Sequence, residues 1–209
     1  MFKYQSSSSA NNSRRKTMDL KEFGGNNYST EYVRFDRDQL ECESTLAQAD
    51  NLIKAGQIQA GVELLLKILQ YNPQFGKAYN YLGWIYETQY QNYTYAEECY
   101  KNAMKYAPDY APVYLNYAYL LSSGGRFDEL KAHLDMALTI PNVSKEVIYG
   151  QYGWMYEMQQ NPQAAMNYYV KAAMSALDTS RLTYYKEAID RCKIKLELKN
   201  LLNDYRLSN

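Results

Sequence analysis

Histidine and cysteine are scarce in this chain of 209 residues, and their scarcity argues against several kinds of site. There is one histidine, His133, and the three cysteines, Cys42, Cys99 and Cys192, lie far apart. Zinc sites usually combine four cysteine or histidine ligands at short spacings, so no metal site is expected. Three widely separated cysteines do not make a disulfide framework, and they fit a reducing compartment.

An excess of charge and long apolar runs are also lacking. The 23 basic and 23 acidic residues balance, so the overall charge gives no reason to expect nucleic acid as a partner. No segment approaches the roughly 20 apolar residues that cross a bilayer, and the first residues lack the apolar core of a secretory signal. We therefore expect an intracellular protein with no transmembrane segment of its own.

Motifs of catalysis are missing as well. The sequence contains no nucleophile elbow, phosphate-binding loop or histidine-centred metal motif. The acidic residues are explained by solvated helix faces. We predict that the protein is not an enzyme, with no catalytic residues and no cofactor.

What the sequence does contain is a repeat of about 34 residues, a period typical of arrays of helical hairpins. Four units align with one another, at 42–75, 76–110, 111–144 and 145–178. The clearest unit carries Tyr79, Leu82, Gly83, Trp84, Tyr86, Ala96, Tyr100, Ala103 and Pro108. Small residues recur where two helices must approach closely, and large ones recur beside them.

This pattern resembles the tetratricopeptide repeat (TPR) family over roughly two thirds of the chain. The resemblance implies an all-α, right-handed solenoid of about four helical hairpins. Turn chemistry agrees independently, because Gly56 and the Gly124-Gly125 pair fall between paired helices, where glycine tolerates a left-handed backbone. In the fourth unit, Asn161 followed by Pro162 predicts a helix N-cap and first helical residue.

By the same resemblance, the first helix of each hairpin lines an inner, concave wall, and certain positions face the groove. Position nine of the first three units is occupied by Asp50, Trp84 and Tyr119, and Trp154, the tenth residue of the fourth unit, aligns with them. We call the three aromatic residues Trp84, Tyr119 and Trp154 the aromatic ladder. The other candidate groove residues are Lys77, Asn80, Glu87, Leu115, Ser122, Glu157 and Met158. Two interpretations stay open: the ladder binds a partner, or its side chains only pack within the stack.

Residues 1–40 differ in composition from the repeats. They are rich in serine, asparagine and glycine and too polar to bury a core, which predicts a flexible N-terminal tail. The first 18 residues carry arginine and serine but no acid, so a mitochondrial location is the alternative to the expected cytoplasmic one. Tyr28, Tyr32 and Phe35 are the candidate anchors of the tail, on a partner or on the groove of its own chain.

Residues 179–209 have a helical pattern that predicts a capping helix, since a repeat array must cover its open end. This helix is longer than those it would cover. Its distal residues, Leu198, Leu201, Leu202 and Tyr205, are therefore expected to overhang and to contact a partner or a second copy of the chain.

Together these features predict a non-catalytic scaffold or accessory subunit of a larger multiprotein assembly. Its partners would be one or more proteins or protein segments, bound through the groove, the tail and the C-terminal helix. The alternative is a peptide-binding carrier or secretion-type chaperone, in which the groove holds an extended client segment.

Overall fold

The computed structural model describes the backbone of residues 30–207 and the side chains of residues 38–203. Every secondary-structure element in this part of the chain is a helix, which confirms the all-α prediction. The helices are α1 (Thr30–Lys54), α2 (Ile58–Tyr71), α3 (Gly76–Thr88), α4 (Tyr93–Tyr106), α5 (Ala111–Ser123), α6 (Phe127–Ala137), α7 (Lys145–Met158), α8 (Pro162–Ser175) and α9 (Thr179–Leu207).

Consecutive helices form four hairpins, in which α1 packs on α2, α3 on α4, α5 on α6 and α7 on α8. Contacts of α3 with α5 and of α5 with α7 join the first helices of neighbouring hairpins. Helices α3, α5 and α7 begin at Gly76, Ala111 and Lys145, the residues at which the second, third and fourth units are predicted to begin. The first helices therefore lie side by side and build one wall of the stack.

Helix α1 begins at Thr30, well before the expected start of the first unit at Cys42. Residues 30–40, which the composition assigns to the tail, are thus helical. The apolar periodicity starts at Cys42, the first core residue of this helix among the described side chains, whereas the helix itself extends further toward the N-terminus. No glycine or proline occurs between residues 26 and 55.

The α1–α2 and α5–α6 turns have the geometry that their glycines predict, whereas the α3–α4 and α7–α8 turns place Gln91 and Gln160 at positive φ. Gly56 and Gly125 adopt φ values of 79° and 67°, in the left-handed region that glycine enters without steric cost. The Asn161 side chain accepts a hydrogen bond from the backbone N–H of Ala164 at 3.1 Å, with Pro162 at the first helical position. These local signals mark the ends of α1 and α5 and the start of α8.

Within the hairpins, a small residue on one helix receives a large residue from the other. A Cβ built on Gly83 would lie 2.7 Å from the ring of Tyr100, and one on Gly153 would lie 2.5 Å from the ring of Tyr169. Real Cβ atoms do not approach so closely, so glycine is required at both positions. The tyrosine rings thereby become part of the core, which explains much of the tyrosine content.

Helix α9 packs on α8 through Tyr185, Ala188 and Cys192, all of them buried. Its first half therefore covers the end of the stack. The helix has 29 residues, and so extends about 43 Å at 1.5 Å per residue. Beyond Cys192, Ile194 and Leu198 are among the exposed apolar side chains.

Candidate functional site

The aromatic ladder lies on three successive first helices, α3, α5 and α7. Trp84 and Trp154 are partly buried, and each packs against a core cluster with part of its ring still accessible. The Trp154 ring also contacts Phe127, with ring centroids 6.1 Å apart. Tyr119 is buried. The two tryptophans therefore both support the stack and present surface, and both interpretations drawn from the sequence stay open.

A cavity of about 280 Å³ opens at the C-terminal end of this wall. We call it the terminal cavity; its lining residues are Tyr119, Ser122, Val147, Gly150, Gln151, Trp154, Arg181, Tyr184 and Tyr185. Helices α5, α7 and α9 each contribute to it. Two members of the predicted ladder thus share one concave site.

Gly150 of α7 and Tyr185 of α9 meet in the lining of the terminal cavity. A Cβ on Gly150 would lie 2.7 Å from the hydroxyl oxygen of Tyr185, so the glycine leaves room for the tyrosine side chain. The Tyr185 hydroxyl bonds to Glu146 Oε1 at 2.8 Å. Burial, together with this hydrogen bond, raises the pKa of Tyr185, so its phenol stays neutral.

One ion pair holds the cationic wall of the cavity in place. The Nε and Nη2 atoms of Arg181 lie 2.6 and 2.5 Å from Glu146 Oε1. Nη2 also donates to the Tyr185 hydroxyl at 3.1 Å. Because the anion and cation are both mostly buried, the charge of Arg181 is largely neutralised where it meets the cavity.

Gln151 brings an acceptor without a partner to the same cavity. Its Oε1 atom is buried and receives no hydrogen bond from any described residue. Burial raises the pKa of the Tyr119 hydroxyl. The hydrogen bond from Gln151 and the positive charge of Arg181 act in the opposite direction. An unsatisfied buried acceptor costs roughly 1–3 kcal/mol, so a donor placed at Oε1 would recover that cost.

Sequence reasoning missed Gln151, Arg181 and Tyr184 as candidate site residues. Arg181 and Tyr184 belong to the first half of α9, which the sequence predicts to be a cap. The one available signal was the 34-residue period itself, because α9 follows α8 where the first helix of a fifth unit would begin. As a first helix, α9 continues the wall.

Two predicted groove acids are engaged within the protein. Glu87 is buried and accepts a hydrogen bond from the Tyr100 hydroxyl at 2.7 Å. Glu157 accepts from the Tyr169 hydroxyl at 2.9 Å and lies 2.7 Å from Arg191 Nε and 2.6 Å from Lys195 Nζ. The Arg191 hydrogen bond, followed by smaller influences that include Lys195 and Tyr169, lowers the pKa of Glu157 to about 2. Glu157 thus ties α9 to α7.

The remaining predicted groove residues fall into two groups. Asn80, Leu115 and Ser122 are buried, and the Asn80 side chain accepts a hydrogen bond from Asn116 at 3.1 Å, which links α3 to α5. Lys77 is partly exposed and pairs with Glu43 of α1 at 2.6 Å, and Met158 is exposed. Ser122, although buried, lines the terminal cavity, and Met158 offers surface.

The candidate contacts outside the groove are only partly described. The side chains of Tyr28, Tyr32, Phe35 and Tyr205 lie outside the described part of the chain. Leu198, Leu201 and Leu202 are exposed on α9 at 59%, 64% and 49% of their surface. They form a short apolar strip on the distal half of that helix.

Neither a metal cluster nor a membrane span is found in the described residues. No group of three or more histidine, cysteine, aspartate or glutamate side chains there is arranged to hold a metal ion. His133 is buried, with Nε2 2.8 Å from the carbonyl oxygen of Tyr114. In the same part of the chain, no helix combines the length and apolarity needed to cross a membrane.

Similarity to known proteins agrees with the repeat architecture. Residues 8–122 match the family model described as the tetratricopeptide repeat protein 21 C-terminal ARM domain. No curated protein matches the sequence.

Solved structures resemble the fold at low sequence identity. PilF of Pseudomonas aeruginosa superposes with a TM-score of 0.60 at 18% identity, covering 77% of this chain and 76% of PilF. TTC0263, a TPR protein of Thermus thermophilus, gives 0.55 at 21% identity over 76% of this chain and 86% of its own. An O-GlcNAc transferase mutant of Thermobaculum terrenum gives 0.57 at 22% identity, over 66% of this chain and 26% of that enzyme.

At these identities the neighbours establish the fold, and the family model, which matches more than half of the chain, establishes the family. The chain belongs to the tetratricopeptide repeat protein 21 C-terminal ARM domain family and is a TPR-like helical repeat protein.

Proposed function

We propose that the protein is a non-catalytic scaffold or accessory subunit that holds partner proteins in a larger assembly through its concave wall. The observation that carries the proposal is the aromatic ladder, with Trp84 and Trp154 both partly accessible on neighbouring first helices. Tryptophan is among the residues most enriched at binding hot spots, because a large ring loses much water contact at little cost in conformational entropy. The described part of the chain contains no other tryptophan.

The electrostatics of the wall favour a partner segment held mainly by apolar and aromatic contacts. Glu157 pairs with Arg191 and Lys195, and Arg181 pairs with Glu146. Both carboxylates are thus paired within the protein and are not free to bind a basic partner. An extended or helical segment bearing large apolar side chains suits such a surface.

A second contact surface is proposed on the distal half of α9, where Leu198, Leu201 and Leu202 are exposed. Apolar strips on a helix usually face a partner helix, and here that is another protein or a second copy of this chain. This surface is separate from the groove, so the protein would bring two bound partners together.

The likeness to the O-GlcNAc transferase adds no catalytic proposal. The similarity covers 26% of that enzyme, and a sequence identity of 22% supports a common fold only.

The test is a pull-down from native cells with mass spectrometry, comparing the wild type with the double variant Trp84→Ala/Trp154→Ala. Tyr90→Ala/Tyr93→Ala, which removes two exposed rings at the α3–α4 turn, is the matched control. We expect a fixed set of proteins at constant stoichiometry that the tryptophan variant loses and the control retains. The same set bound by all three proteins would refute the groove as the docking site.

Stoichiometry also separates the scaffold from the carrier or chaperone. A carrier would release its client and capture short synthetic peptides as an isolated, stable protein. A scaffold co-purifies with its partners at a fixed ratio.

A further inference from the structure

The terminal cavity has the size of a site for one side chain. Its volume of about 280 Å³ lies just below the 300–1,000 Å³ typical of pockets for whole small-molecule ligands. It lies on the same wall as the aromatic ladder and contains two of its members, Tyr119 and Trp154. A segment that runs along the groove would place one of its side chains there.

The charge of the lining argues for an uncharged occupant. Arg181 is the one ionised side chain in the lining of this cavity, and Glu146 neutralises it at 2.5 Å. A charged side chain entering the cavity would lose its hydration without gaining a free counter-ion, which is strongly unfavourable. A neutral group avoids that cost.

The walls favour an aromatic ring. Trp154 and Tyr184 are both partly accessible and line the cavity together with Tyr119. Aromatic rings gain from offset or edge-to-face contact with one another, in addition to the burial of their area. An aliphatic side chain would gain the burial alone.

The polar lining favours an occupant that carries a hydrogen-bond donor. Gln151 Oε1 is buried and receives no hydrogen bond from the described residues. The Gln151 amide bonds to Tyr119, which holds the side chain in place. A donor on the occupant would therefore meet an acceptor that is already oriented.

We propose that the terminal cavity binds an uncharged aromatic ring that carries one hydroxyl or N–H donor. A tyrosine or tryptophan side chain of a partner segment supplies this chemistry, with its donor on Gln151 Oε1 and its ring against Trp154 and Tyr184. The inference rests on the proposed function, because it assigns the anchor side chain that the groove selects.

The experiment uses the two tryptophans as reporters. Protein labelled with 5-fluorotryptophan gives two ¹⁹F NMR signals, and Trp84→Phe identifies the one from Trp154. Four probes of similar shape are titrated: p-cresol (neutral with a donor), toluene (neutral without one), 4-methylbenzoate (anionic) and 4-methylbenzylamine (cationic). We expect p-cresol to shift the Trp154 signal with about tenfold higher affinity than toluene, the worth of one hydrogen bond to a buried acceptor. The Trp84 signal should stay in place, and the charged probes should bind more weakly than p-cresol.

Two variants assign the preference to Gln151. Gln151→Leu removes the acceptor and should abolish the difference between p-cresol and toluene. Gln163→Leu, at an exposed glutamine of α8, is the matched control and should behave as the wild type. Urea denaturation of each variant establishes that it is folded.

Equal affinity for p-cresol and toluene, tighter binding of a charged probe, or no movement of the Trp154 signal would overturn the inference. These readings need no partner protein, so they are independent of the pull-down. If p-cresol and toluene bind equally but the tryptophan double variant still loses its partners in the pull-down, only the specificity of the cavity is refuted. If p-cresol is preferred but the double variant keeps its partners, the cavity is retained and the scaffold function of the groove is refuted.

Discussion

Replacing Glu157 by glutamine tests how α9 is held on the stack. Glu157, near the end of α7, contacts the Tyr169 hydroxyl of α8 and both Arg191 and Lys195 of α9. Its side chain is only 8% exposed, while those of Arg191 and Lys195 are 49% and 47% exposed. Glutamine keeps the shape and one acceptor but removes the charge.

The pKa of Glu157 sets the size of the effect. A fall from 4.5 to about 2, caused chiefly by the hydrogen bond from Arg191, corresponds to about 3 kcal/mol of charge stabilisation. Solvent around the half-exposed Arg191 and Lys195 screens the pairs, so we expect Glu157→Gln to lower the free energy of unfolding by about 1–2 kcal/mol at pH 7. Glu187→Gln, at an exposed glutamate of α9, is the matched control and should change it by less than about 0.5 kcal/mol.

The direction of this pKa shift determines how the stabilisation by Glu157 changes with pH. The folded-state pKa of Glu157 is lowered, so its contribution is fully present above pH 4.5 and is lost as the pH falls toward about 2. Urea denaturation at pH 7 and pH 3 should therefore show the difference between wild type and Glu157→Gln shrinking by more than half. Equal stability of the two proteins at pH 7, or an undiminished difference at pH 3, would refute the reasoning.

Further predictions concern the core, the turns and the C-terminal helix. Gly153→Ala places a Cβ 2.5 Å from the Tyr169 ring and should lower the free energy of unfolding, measured by urea denaturation, by about 1–3 kcal/mol. Gly124→Ala is the control: its Cβ would meet nothing within 3.4 Å, so the change should be neutral or stabilising. Burial lowers the pKa of His133, so the free energy of unfolding should decrease as the pH falls below 6.5; an identical slope in His133→Gln would contradict this origin. Gly56→Ala places an L residue at a φ of 79° and should lower the free energy of unfolding by about 1–2 kcal/mol. A melting temperature equal to that of the wild type would show that the turn is not strained by alanine. Deleting residues 197–209 should leave the unfolding free energy nearly unchanged while removing any self-association seen by light scattering; a large loss of stability would mean that the distal helix packs on its own chain.

The helices and turns were predictable because their signals are local. Gly56, Gly125 and the Asn161-Pro162 pair specify their own backbone through steric limits and short hydrogen bonds, independently of what they later touch. Repetition strengthened these signals, since four units carry the same pattern. The start of α1 was missed because residues 30–40 form a helix without the apolar periodicity that marks the other helices.

The candidate site was predictable only in part. The period placed Trp84, Tyr119 and Trp154 on one wall, yet it did not distinguish the buried ring of Tyr119 from the partly accessible rings of the tryptophans. That difference depends on how tightly neighbouring first helices pack. Glu157 looked like a groove acid because its partners lie 34 and 38 residues further along the chain, on a helix for which the sequence predicted no contact with α7.

The sequence by itself therefore determined the repeat, the helix class, most helix boundaries and the aromatic character of the wall, because these follow from residue spacing and backbone sterics. Only the tertiary structure decided that α9 continues the wall, that Arg181 is neutralised by Glu146, and that Gln151 offers a buried acceptor beside Trp154. Such features depend on distances and solvent exclusion between side chains about one repeat apart, and those arise only when the hairpins stack.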